Sequence, residues 1–237
     1  MYGLGYGYGM YYDPTYILVI LGIIITLAAS AKVNSTFNKY SKVRSMSGMT
    51  GADAAKRILN SAGIYDVSIQ HISGNLTDHY DPKHKVLRLS DSVYNSMSVA
   101  AIGVAAHECG HAIQDQKDYV PLRLRASLVP VANIGSMLAW PVIVLGLILG
   151  AFETLVPIGI ILFSAAVLFQ IVTLPVEFNA SSRAIAVLDS TGILGGEEIR
   201  YTKKVLSAAA LTYVASAAAS ILQLLRLVLL FGGRNRD

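Results

Sequence analysis

The chain is poor in charge. Only 14% of its 237 residues are Asp, Glu, Lys or Arg, against roughly 25% in soluble domains, so much of its surface faces something other than water. Its one cysteine, Cys109, excludes an internal disulfide and fits a reducing compartment. No block of like charges exists. The 19 basic residues stand against 15 acidic ones and lie mostly beside apolar segments, which argues against nucleic acid as a partner and for cations held on the cytoplasmic side of a membrane. The first fifteen residues, rich in Gly and Tyr, contain no basic residue. The positive region that precedes the apolar core of a cleavable secretory signal is therefore missing. No internal repeat is visible.

Apolar residues are abundant, at 54%. They concentrate in runs at residues 16–31, 128–149, 155–174 and about 211–231. At 1.5 Å per residue the longer runs cross a hydrocarbon layer of about 30 Å. The first is short and reads as an uncleaved membrane helix with flanking tyrosines at the interface. Only residues 150–154 separate the second and third runs, so these form an antiparallel hairpin, bent or started by Pro130, Pro141 and Pro157. The last run is alanine-rich and carries Arg226 near its end, and is expected to be a fourth span. Between the first and second runs, Thr50 or Asp53 starts a helix that Gly63 stops. Residues 67–69 and 86–89 read as strands around a turn-rich stretch at 74–82, and residues 92–114 as a further helix.

The expected organisation is a tail (1–15), a first transmembrane helix (16–31), a polar domain (32–127), a transmembrane hairpin (128–174), a segment completing the polar domain (175–204), a C-terminal helix (205–231) and a tail (232–237). Residues 32–127 carry twelve Lys or Arg and residues 176–204 carry four, whereas the N-terminus and hairpin tip carry none. This bias places both polar segments on the cytoplasmic face of the plasma membrane in a multi-pass protein. Arg226, Arg234 and Arg236 run against that assignment, because it puts the C-terminus outside.

Within the polar domain, His107-Glu108-Cys109-Gly110-His111 is an H-E-x-x-H sequence. On a helix the two histidines lie about 40° apart and one turn along the same face, where two imidazoles can bind one Zn²⁺. Glu108 lies about 60° from His111, within reach of a water at the metal, and Cys109 points to the opposite side. The chemistry implied is Glu108-assisted attack of water on a peptide bond, with zinc polarising the carbonyl. A catalytic zinc needs a third protein ligand and an open position. Glu177 is the candidate, 66 residues beyond His111, because a hairpin that leaves and re-enters one membrane face returns it to the histidines. Asp189 lies in a weaker ligand context, and His71, His79 and His84 are further candidates in the polar region. The fold class expected is a mainly α membrane protein with about four transmembrane helices and a small α+β zincin-like catalytic domain.

A-A-H-E-C-G-H-A-I-Q at residues 105–114, P-V-E-F-N-A-S-S-R-A at 175–184 and A-A-A-L-T-Y-V at 208–214 together resemble the membrane-bound YugP-like neutral zinc metallopeptidases of bacteria. The pattern is more distantly similar to HtpX-like and CAAX prenyl proteases. The resemblance implies a gluzincin-like site, with one zinc per chain held by His107, His111 and Glu177. Ser181 stands where those distant relatives have Asp, so the carboxylate that orients a ligand histidine must come from elsewhere, Asp115 and Asp189 being the candidates. The resemblance also implies that the strand Val86, Leu87, Arg88, Leu89 offers an edge to an extended peptide. Arg183 and Tyr213 are candidates to stabilise an oxyanion. The expected activity is a zinc endopeptidase acting on peptides or membrane proteins at the cytoplasmic face of the bilayer. Its rivals are an intramembrane site-2-like protease and a non-catalytic scaffold whose zinc is closed by a fourth ligand such as His79 or His84.

Overall fold

The computed structural model describes residues 13–232. The elements in chain order are α1 (Tyr16–Tyr40), α2 (Gly51–Ser61), β1 (Ser68–Ile72), β2 (His79–Asp81), β3 (Val86–Ser90), α3 (Val99–Gln116), α4 (Val120–Ile148), α5 (Phe152–Ser190) and α6 (Gly196–Phe231). Among the described residues, α1, α4, α5 and α6 are long and apolar enough to cross a membrane. Their outer faces leave Ile17, Leu27, Ile134 and Ile161 at 52–70% exposure, which water would penalise and lipid does not. The molecule is a mainly α membrane protein with a small α+β domain at one end.

The helices of that domain are bounded by local signals. The Thr50 side chain accepts from the Asp53 backbone N–H while the Asp53 carboxylate accepts from Thr50 N–H, a reciprocal cap stabilising α2 by about 1 kcal/mol. Gly63, at φ +73°, ends it in the left-handed region open to glycine. Ser98 caps α3 through Ala101 N–H. Fourteen of the eighteen residues of α3 are buried, so this helix is surrounded on nearly all sides. Its core neighbours are Ile58 and Leu59 of α2, Leu87 and Leu89 of β3, Leu188 of α5 and Leu206 of α6.

The helices run further than the apolar runs that mark them. α1 continues to Tyr40, α5 to Ser190 through Pro175, and α6 begins at Gly196. The polar ends of these helices dock on the core around α3, so the same helices serve the membrane and the domain. α4 and α5 form the hairpin, with Gly150 at its tip at φ +70°. Asp13 pairs with Arg226 at 3.1 Å, and the guanidinium lies 4.3 Å from the Tyr16 ring centroid. This joins the start of α1 to the end of α6 at the membrane face opposite the α+β domain. Arg226 is thus a partnered ion. Arg234 and Arg236 lie outside the described residues, as does most of each expected tail.

The sheet order is β1-β3-β2, with β1 parallel and β2 antiparallel to β3. The strand holding Val86, Leu87, Arg88 and Leu89 is therefore central, with neighbours on both sides, and its backbone is not free to receive a peptide. The exposed edges belong to β1 and to β2, a three-residue strand too short and polar to be read from periodicity.

Candidate metal centre

α3 carries His107, Glu108 and His111, and α5 carries Glu177 and Ser181 one turn apart on one face. The two helices cross at Gly110. A Cβ placed there would lie 2.5 Å from the Ala180 carbonyl oxygen, so the absent side chain is what permits the close approach. The crossing brings Glu177 Oε2 to 3.2 Å from His107 Nε2 and 3.5 Å from His111 Nε2. The imidazoles stand edge-on, with centroids 4.8 Å apart. All three donor atoms lie within 4.8 Å of one another, and Glu177 and His111 are buried.

The other ring nitrogens are engaged. His111 Nδ1 lies 3.0 Å from Gln114 Oε1, and the Gln114 amide donates to Val176 O (2.8 Å) and Asn179 Oδ1 (3.0 Å). Gln114 therefore presents its oxygen to the ring, so His111 Nδ1 carries a proton and Nε2 presents a lone pair. His107 Nδ1 lies 3.1 Å from Ser181 Oγ. Two imidazole nitrogens and a carboxylate oxygen thus face inward together. Burial alone lowers the His111 pKa, but the Glu177 and Glu108 carboxylates and Gln114 outweigh it and hold it above the usual value. A field that favours a proton there equally favours a cation. An N₂O donor set with a free fourth position suits catalytic zinc, so the residues fit the ion.

Further groups complete the site. Glu108 Oε2 accepts from the Tyr80 N–H of β2 at 3.0 Å. Arg125 Nη1 of α4 lies 3.3 Å from Glu177 Oε1, balancing the carboxylate from outside. Tyr213 of α6 stands beside Glu177, Glu108 and Arg125. Arg183 donates to Asn179 Oδ1 at 2.7 Å and lies over the Tyr119 ring, bracing the Gln114 network rather than facing the carboxylates. Cys109 Sγ points at Ala55 O of α2, and burial raises its thiol pKa well above normal, so it is no thiolate ligand.

Neither aspartate expected to orient a histidine does so. Asp115 accepts from Tyr80 OH and Lys85 Nζ. Asp189 is exposed, twelve residues beyond Glu177 on the same helix, or about 18 Å along its axis. Gln114 and Ser181 occupy the positions against the rings. His71 and His84 pair with Asp91 and Asp81, and His79 with the Thr77 carbonyl. Among the described residues none of these three joins the metal-ligating group. Gln114 could have been found by its three-residue spacing from His111. Arg125 had no signal, because its partner lies 52 residues away.

No solved structure matches the chain. Over 221 residues, 93% of this chain and 98% of the relative, it is 50% identical to a Bacillus subtilis (strain 168) protein described as "Putative membrane protease YugP". The family model described as "Putative neutral zinc metallopeptidase" matches residues 15–232, spanning both ligand-bearing helices and all four apolar helices. The chain belongs to this zinc metallopeptidase family.

Proposed function

We propose that the protein is a zinc-dependent endopeptidase that hydrolyses peptide bonds where its helices emerge at the cytoplasmic face of the plasma membrane. The observation that carries this is the convergence of His107 Nε2, His111 Nε2 and the Glu177 carboxylate, with Glu108 alongside. Zinc bound by these three residues would supply Lewis-acid polarisation of the scissile carbonyl and acidify a water. Glu108 acts as the general base, taking the water proton and returning it to the leaving amine. The Tyr80 N–H holds the Glu108 carboxylate in place.

That same hydrogen bond shows which way β2 faces. Tyr80 is opposite Leu87 in the antiparallel register, yet its N–H points to Glu108 and away from β3, so Tyr80 N–H and C=O lie on the free edge of the sheet. An extended substrate lies along β2 beside Glu108, its main chain donating to the outward Tyr80 carbonyl while the Tyr80 N–H stays on Glu108. Peptides and unfolded stretches of membrane proteins are the substrate class, because strand addition needs an extended backbone. α3 is not among the helices able to span the membrane, which supports a site at the surface rather than within the bilayer. The distribution of basic residues supports the cytoplasmic side.

The test is Glu108→Gln in purified, detergent-solubilised protein with unfolded casein as substrate. Expected are about one zinc per chain, as in the wild type, and a cleavage rate lower by about 10²–10⁴-fold. Cleavage at the wild-type rate would reject Glu108 as the base.

A further inference from the structure

A groove of about 850 Å³ runs between α1 and α6 on the domain side of the membrane. On α1, Lys32 and Lys39 lie two turns apart on one face, with Ser35 and Thr36 between them. On α6, Arg200, Lys203 and Lys204 face them, followed by Ser207. No carboxylate lines the groove. Arg200 is paired with Glu197. Among the described residues no ion pair involves Lys32, Lys39, Lys203 or Lys204. Two cationic stripes are thus brought together across one groove, an arrangement that repels itself unless an anion lies between them. Thr36 and Ser207 offer hydroxyl donors to the oxygens of that anion, while Ser35 Oγ donates to the Lys32 carbonyl.

The depth of the groove narrows its occupant. Lys32 follows directly on the apolar run of α1, and Leu211, at the other end of the lining, opens the apolar run of α6. The cations extend from this boundary outward by seven residues on α1 and the groove wall by eleven on α6, about 10 and 16 Å at 1.5 Å per residue. The headgroup layer is about 5–8 Å deep on each side of the hydrocarbon core, so the groove opens within it at Lys32 and Leu211 and continues beyond it, with Lys39, Lys203 and Lys204 just outside. Below it, Leu27 and Leu211 are 64% and 45% exposed, a surface on which acyl chains can lie. We infer that the α1–α6 groove binds the phosphate-bearing headgroup of an anionic phospholipid, with its chains along the apolar faces beneath. The inference rests on charge placement and not on the metal centre.

The experiment uses the full chain in nanodiscs of phosphatidylcholine containing a minor share of phosphatidylglycerol. Retained lipid is counted by native mass spectrometry after release into detergent. The wild type is expected to retain phosphatidylglycerol in preference to phosphatidylcholine. The double variant Lys39→Gln/Lys203→Gln should lose this preference by on the order of tenfold, since each basic residue near an anionic surface contributes several-fold. Both positions are exposed, so the variant should fold, and an unchanged circular dichroism spectrum checks that it has. The control Lys56→Gln/Lys83→Gln removes the same charge from the domain surface and should keep the preference. Equal loss in both variants would show net charge alone at work and overturn the site. Displacement of the lipid by millimolar inorganic phosphate would overturn phospholipid as the occupant in favour of a soluble anion.

Discussion

Replacing Gly110 by alanine tests whether the crossing of α3 and α5 sets the ligand geometry. The new methyl would sit 2.5 Å from the Ala180 carbonyl oxygen and 3.1 Å from its carbonyl carbon and Cα. An unstrained carbon–oxygen contact needs about 3.3 Å, so the helices must part by roughly 0.8 Å. The obstacle is backbone and cannot rotate aside. Ala180 is three residues from Glu177 on the same helix, so most of that displacement reaches a carboxylate now 3.2 and 3.5 Å from the imidazoles. Alanine gains about 1 kcal/mol of helix propensity, against roughly 1–3 kcal/mol for overpacking, giving modest net destabilisation. Function should suffer more than stability: an offset near 1 Å in a reacting constellation costs about 10²-fold in rate. Zinc affinity measured against a competing chelator, casein cleavage and the thermal midpoint together separate these effects. Wild-type zinc affinity and cleavage in Gly110→Ala would refute the idea that this contact positions Glu177.

Gln114→Leu removes the acceptor of His111 Nδ1 and should weaken zinc binding about 10–100-fold, read by the same competition. Cys109→Ala, on the far side of the helix against α2, should lower the thermal midpoint yet leave zinc affinity unchanged. Removing zinc with a chelator should lower stability by about 2.7 kcal/mol when the free ion had stood at 100 times its Kd. Arg125→Leu should widen that apo–holo gap, because the Glu177 carboxylate then depends on the metal alone for neutralisation. The side-chain bonds from His84 and Arg88 hold the Asp81 carboxyl well below its ordinary 3.8. Its contribution is therefore complete above pH 3.8 and is lost as pH falls through the lower folded value. Asp81→Asn should flatten this acid limb in urea titrations, and an unchanged limb would contradict the pairing.

Much of this was legible along the chain because it depends on local spacing. Apolar runs long enough to span lipid are contiguous stretches, the start of α2 at Thr50 or Asp53 is marked within three residues, and the His107–His111 pair lies within one helical turn. Glu177 was reachable by a topological argument: a hairpin leaving and re-entering one face brings its two flanks together. The continuation of α5 through Pro175 was not legible, since hydropathy marks where a helix meets lipid and not where it ends. Nor was the position of the 86–89 strand, because alternation of side chains shows that a strand is buried without showing which neighbours it pairs with.

By itself the amino-acid order determined the membrane spans, the paired histidines with their glutamate, and the zinc metallopeptidase chemistry they imply. Only the tertiary structure decided that Gln114 and Ser181 support the rings, that Arg125 balances Glu177, that β2 and not β3 is the free edge beside Glu108, and that two lysine-bearing helices share a groove. The physical reason is range. Helical periodicity and hydropathy act over a few residues. A hydrogen bond or ion pair requires atoms within about 3 Å, and which distant residues meet at that distance is set by how helices and strands pack.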